Sequence, residues 1–181
     1  MKKEDSRDHL TFSMKAGYHT GEYSPTNWNN YSTLNGGFGM DFEGDVALGK
    51  GWFIGLNYDL WWAKGQDTRT YFGNPAGQTY SSHGFTPLIK YKFYEKNFSL
   101  YTALGLGGNT ININTENVSS ESQGYLNINA HIGFDYYLTK NFLIDFETNV
   151  YSMGETKWEN GQTHNLINFK TGLSYMFIFQ K

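Results

Sequence analysis

Apolar and polar residues alternate one by one through long parts of this chain. In the segment 52–64, "WFIGLNYDLWWAK", one row reads Trp52, Ile54, Leu56, Tyr58, Leu60 and Trp62, while the other holds Gly55, Asn57 and Asp59. Successive side chains of a strand point to opposite faces, so a period of two predicts a β-strand with one apolar and one polar face. The pattern fills eight segments, at 9–20, 36–48, 52–64, 81–94, 98–108, 125–138, 142–153 and 166–179. Three stretches repeat nearly the same phrase: "KGWFIGLNYDLWW" at 50–62, "KNFSLYTALGLGG" at 96–108 and "KNFLIDFETNVY" at 140–151. Each starts with Lys, a turn residue and an aromatic, then alternates. The phrase therefore marks a short turn leading into a new strand. Short turns at 48–52, 94–98 and 138–142 alternate with longer polar stretches at 21–35, 65–80, 108–124 and 154–164.

Charge sharpens the split between the rows. On the apolar rows a charge stands only at the last position of the third segment, Lys64. The other strand charges all fall on the opposite row: Lys15, Asp41, Glu43, Asp45, Asp59, Lys90, Lys92, Asp135, Asp145, Glu147 and Lys170. Alternation does not say which row is inside, because a soluble barrel buries its apolar row and a membrane barrel turns it outward. Glycine discriminates. The inside of an eight-stranded barrel is crowded, and Gly17, Gly37, Gly39, Gly55, Gly105, Gly107, Gly133 and Gly172 lie on the polar row, against chiefly Gly44 on the apolar one. Aromatics agree with a polar interior. Trp52, Phe93, Phe98, Phe142 and Phe179 lie beside the short turns, and Tyr18, Trp62 and Phe85 lie toward the long stretches. Two such bands correspond to the two interfacial girdles of a membrane barrel. The fold class predicted is all-β: an eight-stranded antiparallel up-and-down transmembrane barrel, with residues 1–8 as a tail or cloning remnant and 9–181 as a single domain.

The stretches "LGKGWFIGLNYDL", "YEKNFSLYTALGLG" and "FKTGLSYMFIF" give the chain an architecture that resembles the small OmpA-like and OmpX-like eight-stranded outer-membrane barrels. The resemblance covers essentially the whole length. It implies a bacterial outer-membrane location with lipid and lipopolysaccharide as surroundings, short turns and both termini in the periplasm, and long loops outside the cell. Many family members end on an aromatic; here Phe179 is followed by Gln180 and Lys181, so that end signal is displaced or extended.

The eleven charges cannot all be solvated inside so narrow a barrel, so they are expected to pair with one another as a lumen network. Lys90 and Lys92 are expected to serve acids of the second or seventh strand. Clustered carboxylates also suit glycoside hydrolysis, but a filled lumen admits no sugar. A narrow gated pore is the competing reading of the same charges. The histidines, His9, His19, His83, His131 and His164, are scattered without metal-ligand spacing. His131 is read as a member of the lumen network beside Asp135. It precedes Ile132-Gly133 with no serine near it, which disfavours a lipid A-modifying barrel enzyme. No catalytic residue, cofactor or metal site is predicted.

Composition adds limits. There are no cysteines, so disulfides and thiolate metal sites are excluded. A net charge of −3 gives no footprint for nucleic acid. The opening Met-Lys-Lys-Glu-Asp-Ser-Arg-Asp lacks the apolar stretch of a signal peptide. Aromatics among small polar residues in the long stretches (Trp28, Tyr31, Tyr71, Phe72 and Trp158, with Tyr80 closing the second) mark candidate recognition loops. A surface ligand or an envelope protein is the partner expected there, with the barrel itself a monomer. Two functions stay open: a non-enzymatic structural or surface-interaction membrane barrel, and a soluble lipocalin-like ligand-binding barrel.

Overall fold

A computed structural model describes residues 9–24, 32–67, 79–114, 121–155 and 163–179. Eight strands run in chain order: β1 (His9–Ser24), β2 (Ser32–Gly49), β3 (Trp52–Asp67), β4 (Thr79–Glu95), β5 (Phe98–Asn114), β6 (Glu121–Tyr137), β7 (Phe142–Glu155) and β8 (Thr163–Ile178). Each pairs antiparallel with its sequence neighbour, and β1 pairs with β8, from His9 opposite Ile178 to Ser24 opposite Thr163. The sheet is a closed barrel with no free edge. Every strand can thus satisfy its backbone within the protein, which a wall in contact with hydrocarbon requires.

The three short turns have local causes. Between β2 and β3, Gly49 and Gly51 take φ of 93° and 82° around Lys50 at 52°, a left-handed run that glycine makes inexpensive. Between β4 and β5 only Lys96 and Asn97 intervene, Lys96 also at positive φ. Between β6 and β7 the Thr139 hydroxyl accepts hydrogen bonds from the backbone N–H groups of Asn141 (3.2 Å) and Phe142 (3.0 Å). Hydroxyl groups stabilise turns in this way.

The apolar row faces outward on all eight strands. Leu104 is 60% exposed and Ile132 67%, and Phe12, Phe42, Ile54, Ile89, Leu126, Phe146 and Leu173 are likewise exposed. Pro87 lies on this outer row of β4. The β4–β5 register runs to Phe85–Gly108 and resumes at Leu88–Gly105, so the ladder is interrupted where proline has no N–H to donate.

The strands are longer than the alternation predicted, and most of the extra length lies at the long-loop end. There the two faces exchange character. Outward positions become polar or small and exposed: Thr20, Lys64, Thr79, His83, Ser122, Gly124, Ser152 and Asn165. Inward positions become apolar: Trp61, Ala63, Tyr80, Ile111, Tyr125, Tyr151, Met153 and Leu166 form one buried cluster. Tyr80, read from sequence as the end of a loop, is a β4 residue 3% exposed inside the barrel. The wall is thus inside-out near the short turns and built like a soluble barrel at the other end.

Candidate functional site

The lumen gathers the strand charges. Lys15, Asp41, Glu43, Asp45, Asp59, Lys90, Lys92, Asp135, Asp145, Glu147 and Lys170 all point inward, and none is more than 7% exposed. Lys15 is the hub. Its Nζ contacts Glu147 Oε2, Glu43 Oε2 at 3.2 Å and Asp145 Oδ2 at 3.3 Å. Lys90 bridges two acids of β2, Glu43 and Asp45, the latter at 2.7 Å. Lys92 donates to Asp135 on β6 at 2.9 Å, where Ser99 Oγ also donates. This corrects the expectation that Lys92 serves β2 or β7: its neighbour across β5 is β6. Lys170 pairs with Asp41. The Lys90 ammonium also sits over the Tyr101 ring at 4.8 Å, and that of Lys92 over Phe53 at 5.2 Å, contacts that favour a desolvated cation.

Glycine makes these pairings geometrically feasible. Gly172 on β8 lies between Lys15 on β1 and Asp145 on β7 in register. Lys15 crosses that gap to reach a strand it does not pair with. A Cβ at Gly172 would come within 2.7 Å of Lys15 Cα. Gly133 on β6 does the same for Tyr101 on β5. The Tyr101 hydroxyl passes over it to lie 2.8 Å from both Asp145 Oδ1 and Glu147 Oε2, which share its one proton, and a Cβ at Gly133 would meet that hydroxyl at 2.5 Å. Gly17 on β1 lies opposite Lys170 on β8 and Gly39 on β2, and Lys170 reaches past it to Asp41, two residues along β2 from Gly39. Glycine on the polar row thus marks crossing points for long side chains, beyond general crowding.

Above the charges lies a layer of amides and hydroxyls. Asn109 Nδ2 donates to Asp59 Oδ2 (2.9 Å) and Ser82 Oγ (3.3 Å), and Asn127 Nδ2 to Asn109 Oδ1. Thr86 Oγ1 donates to Asn127 Oδ1 at 3.2 Å, Asn168 Nδ2 to Asn149 Oδ1 at 2.6 Å and Asn149 Nδ2 to Glu147 Oε1 at 2.9 Å. Above this layer sits the apolar cluster of Trp61 and its neighbours. Sequence reasoning missed this upper seal. Its signal was available in the inward parity of Trp61, Ala63, Ile111, Met153 and Leu166, on the row that carries the charges elsewhere.

His131 lies in the lumen but not against Asp135 as expected. Its Nδ1 is 3.0 Å from Glu147 Oε1, without the angle of a hydrogen bond, and its ring faces Tyr151 at 6.2 Å. Glu43, His131 and Glu147 together form the one grouping among the described residues with metal-ligand types in reach of each other. Their carboxylate oxygens are already occupied. Glu43 is held by Lys90 and Lys15, and Glu147 by Lys15, Tyr101 and Asn149. A metal there would have to displace ammonium groups. The loop candidates Trp28, Tyr31, Tyr71, Phe72 and Trp158 lie outside the described residues.

Solved structures share this architecture. OprG from Pseudomonas aeruginosa aligns over 96% of this chain and 98% of its own at 13% identity, with a TM-score of 0.67. Neisserial surface protein A (NspA) aligns over 92% and 97% at 14% identity, TM-score 0.65. Ail of Yersinia pestis, solved with the heparin analogue sucrose octasulfate, aligns over 93% and 99% at 14% identity, TM-score 0.57. Identities this low establish likeness of fold. Among curated proteins no sequence matches the chain. The family model of the outer membrane protein beta-barrel domain matches residues 5–177. With its closed eight-stranded wall, outward apolar belt and inward charges, the chain belongs to the outer membrane protein beta-barrel domain family and is a protein of the bacterial outer membrane.

Proposed function

We propose that this barrel is a monomeric, non-enzymatic and plugged outer-membrane protein, and that it acts through the segments joining its strands at the long-loop end. The observation that supports this most is the fullness of the lumen. Its eleven charged side chains are desolvated and ten of them are ion-paired, amides interlock above them, and an apolar cluster closes the top. Such an interior offers a substrate no volume. The chemistry agrees: the Ser99 hydroxyl donates to a carboxylate, and His131 faces a carboxylate and a tyrosine ring, so neither belongs to a nucleophile–base pair.

The joining segments 25–31, 68–78, 115–120 and 156–162 have the opposite composition. They carry Trp28, Tyr31, Tyr71, Phe72 and Trp158, and their charges, Arg69, Glu116, Lys157 and Glu159, balance. A sulfated ligand like the one bound by Ail finds no basic cluster there. Aromatics in a neutral polar setting suit an uncharged glycan or a protein surface. Shortening segments 25–31 and 68–78 to tight turns is expected to leave the unfolding midpoint of the barrel unchanged and to abolish the parent's signal on a panel of glycans and cell-surface proteins. Retention of that signal by the folded, shortened protein would move the function into the barrel.

The plug has its own test. A single barrel in a planar bilayer is expected to pass little or no current. Lys90→Met with Lys92→Met strands Asp45 and Asp135 and leaves Glu43 to Lys15 alone, but the upper apolar seal stays intact, so this variant is expected to stay closed too. A large, steady conductance in the parent would contradict the plugged reading.

A further inference from the structure

The phrase that opens three strands is also a repeated geometry. In each short turn a lysine is followed by Gly or Asn and then by an aromatic: Lys50-Gly51-Trp52, Lys96-Asn97-Phe98 and Lys140-Asn141-Phe142. The middle residue is fastened the same way each time. Its carbonyl accepts a hydrogen bond from a backbone N–H of the next strand in the wall. Gly51 accepts from Lys92 of β4 (2.8 Å), Asn97 from Tyr137 of β6 (2.9 Å) and Asn141 from Met176 of β8 (2.7 Å). The aromatics Trp52, Phe98 and Phe142 are exposed on the outer face. The lysine before each is exposed too.

Turn chemistry does not call for lysine at these places. Lys50 and Lys96 have φ of 52° and 30°, a region that Gly or Asn fills at less cost than a long side chain. Ion pairing does not call for it either. Among the described residues none of the three lysines has a carboxylate within 4.0 Å, whereas all four lumenal lysines do. Glu95, beside Lys96 in sequence, is the one acid exposed on this rim among the described residues. Three ammonium groups therefore hang from fixed backbone positions without a partner in the protein. Their depth is set by the aromatics two residues on, which mark the girdle at headgroup level. A lysine side chain starting there extends into the phosphate layer.

We propose that Lys50, Lys96 and Lys140 form a ring of contacts for the phosphates of anionic phospholipids, in the leaflet that meets the short turns. An ammonium group offers phosphate a point charge with three donors. Successive short turns are two strands apart, at least about 10 Å along the wall, so each lysine meets its own headgroup. The chain carries a net charge of −3, which opposes any general attraction to anionic lipid. The preference is therefore a property of the rim alone. At the other end of the wall the described outer face shows a single lysine, Lys64.

The test folds three proteins into vesicles of phosphatidylcholine with or without phosphatidylglycerol. They are the parent, the triple variant Lys50→Gln, Lys96→Gln and Lys140→Gln, and a control, Arg69→Gln with Lys157→Gln, that removes positive charge from the joining segments. Expected for the parent is an unfolding midpoint about 1 M urea higher with phosphatidylglycerol than without it, a difference that high salt removes. The triple variant is expected to fold and to lose the difference, and the control to keep it. Spin-labelled lipids give a second readout. The parent is expected to immobilise labelled phosphatidylglycerol in preference to labelled phosphatidylcholine, and the triple variant to hold both alike. Should the triple variant not fold, each single variant is expected to lose part of the preference. Equal midpoints in the parent overturn the proposal, as does a folded triple variant that keeps the parent's preference. So does an equal loss in the control, because net charge is then the cause.

Discussion

Lys15→Met is expected to destabilise the barrel by about 3–5 kcal/mol, the usual cost of removing one partner from a buried charge cluster. The lysine touches Glu43, Asp145 and Glu147 and lies 3.4 Å from the Tyr101 hydroxyl, with its own side chain wholly buried. Methionine fills a similar volume, so little of the loss comes from packing. What remains are carboxylates facing one another in a dry interior. Urea unfolding in detergent or bilayers gives the number. Adding Glu147→Gln to Lys15→Met is expected to recover part of the loss, since one stranded charge is then gone, and the double-mutant cycle isolates that coupling. A single variant as stable as the parent would mean that water reaches the hub and that the lumen is not a plug.

Leu104→Arg is expected to cost about 2–4 kcal/mol in a bilayer, the range for a cationic side chain on the lipid face at mid-membrane. Leu104 is 60% exposed, on the outer face between Ile89 and Ala130 in the strand register. The informative comparison is Leu48→Arg. Leu48 is 59% exposed, about as much as Leu104, but stands beside the β2–β3 turn. There the cost is expected to fall to about 0–1 kcal/mol, because near the interface a long cationic side chain reaches water. Equal costs at the two sites would show that the belt is not centred where the outward apolar rows place it.

Alternation made the wall legible. Strand number, the outward rows and the inward charges could all be read from a period of two, because lipid demands an unbroken apolar face and the chain has little freedom to disguise it. Pairing inside the lumen was not legible in the same way. Parity assigns Lys92 and Asp135 to the interior but says nothing of which strand lies across from which at a given height; that follows from the stagger of a closed sheet. Hence Lys92 was assigned to the wrong strands and His131 to the wrong carboxylate. Strand ends were misjudged for a different reason. Beyond the girdle both faces change composition, so Thr79 and Tyr80 look like a loop when judged by the membrane pattern. Judged by the pattern of a soluble barrel, with Tyr80 inward and its neighbours outward, they read as strand. The loop aromatics came from composition alone, which carries no geometry.

The exchange of faces along each strand has a consequence for how the molecule is seated. Were the barrel to rise, Phe85, Trp62 and Tyr18 would leave the bilayer; were it to sink, Lys64, Thr79 and His83 would enter hydrocarbon. Opposite penalties on either side act as a mechanical stop and fix the vertical placement. From Phe85 to Thr79 is six residues, about 20 Å of strand, or about 15 Å of height at the tilt usual for such barrels. The joining segments therefore leave the protein from a hydrogen-bonded pedestal well clear of the acyl chains. Their length and sequence can change, by mutation or by grafting, without altering a single lipid contact below.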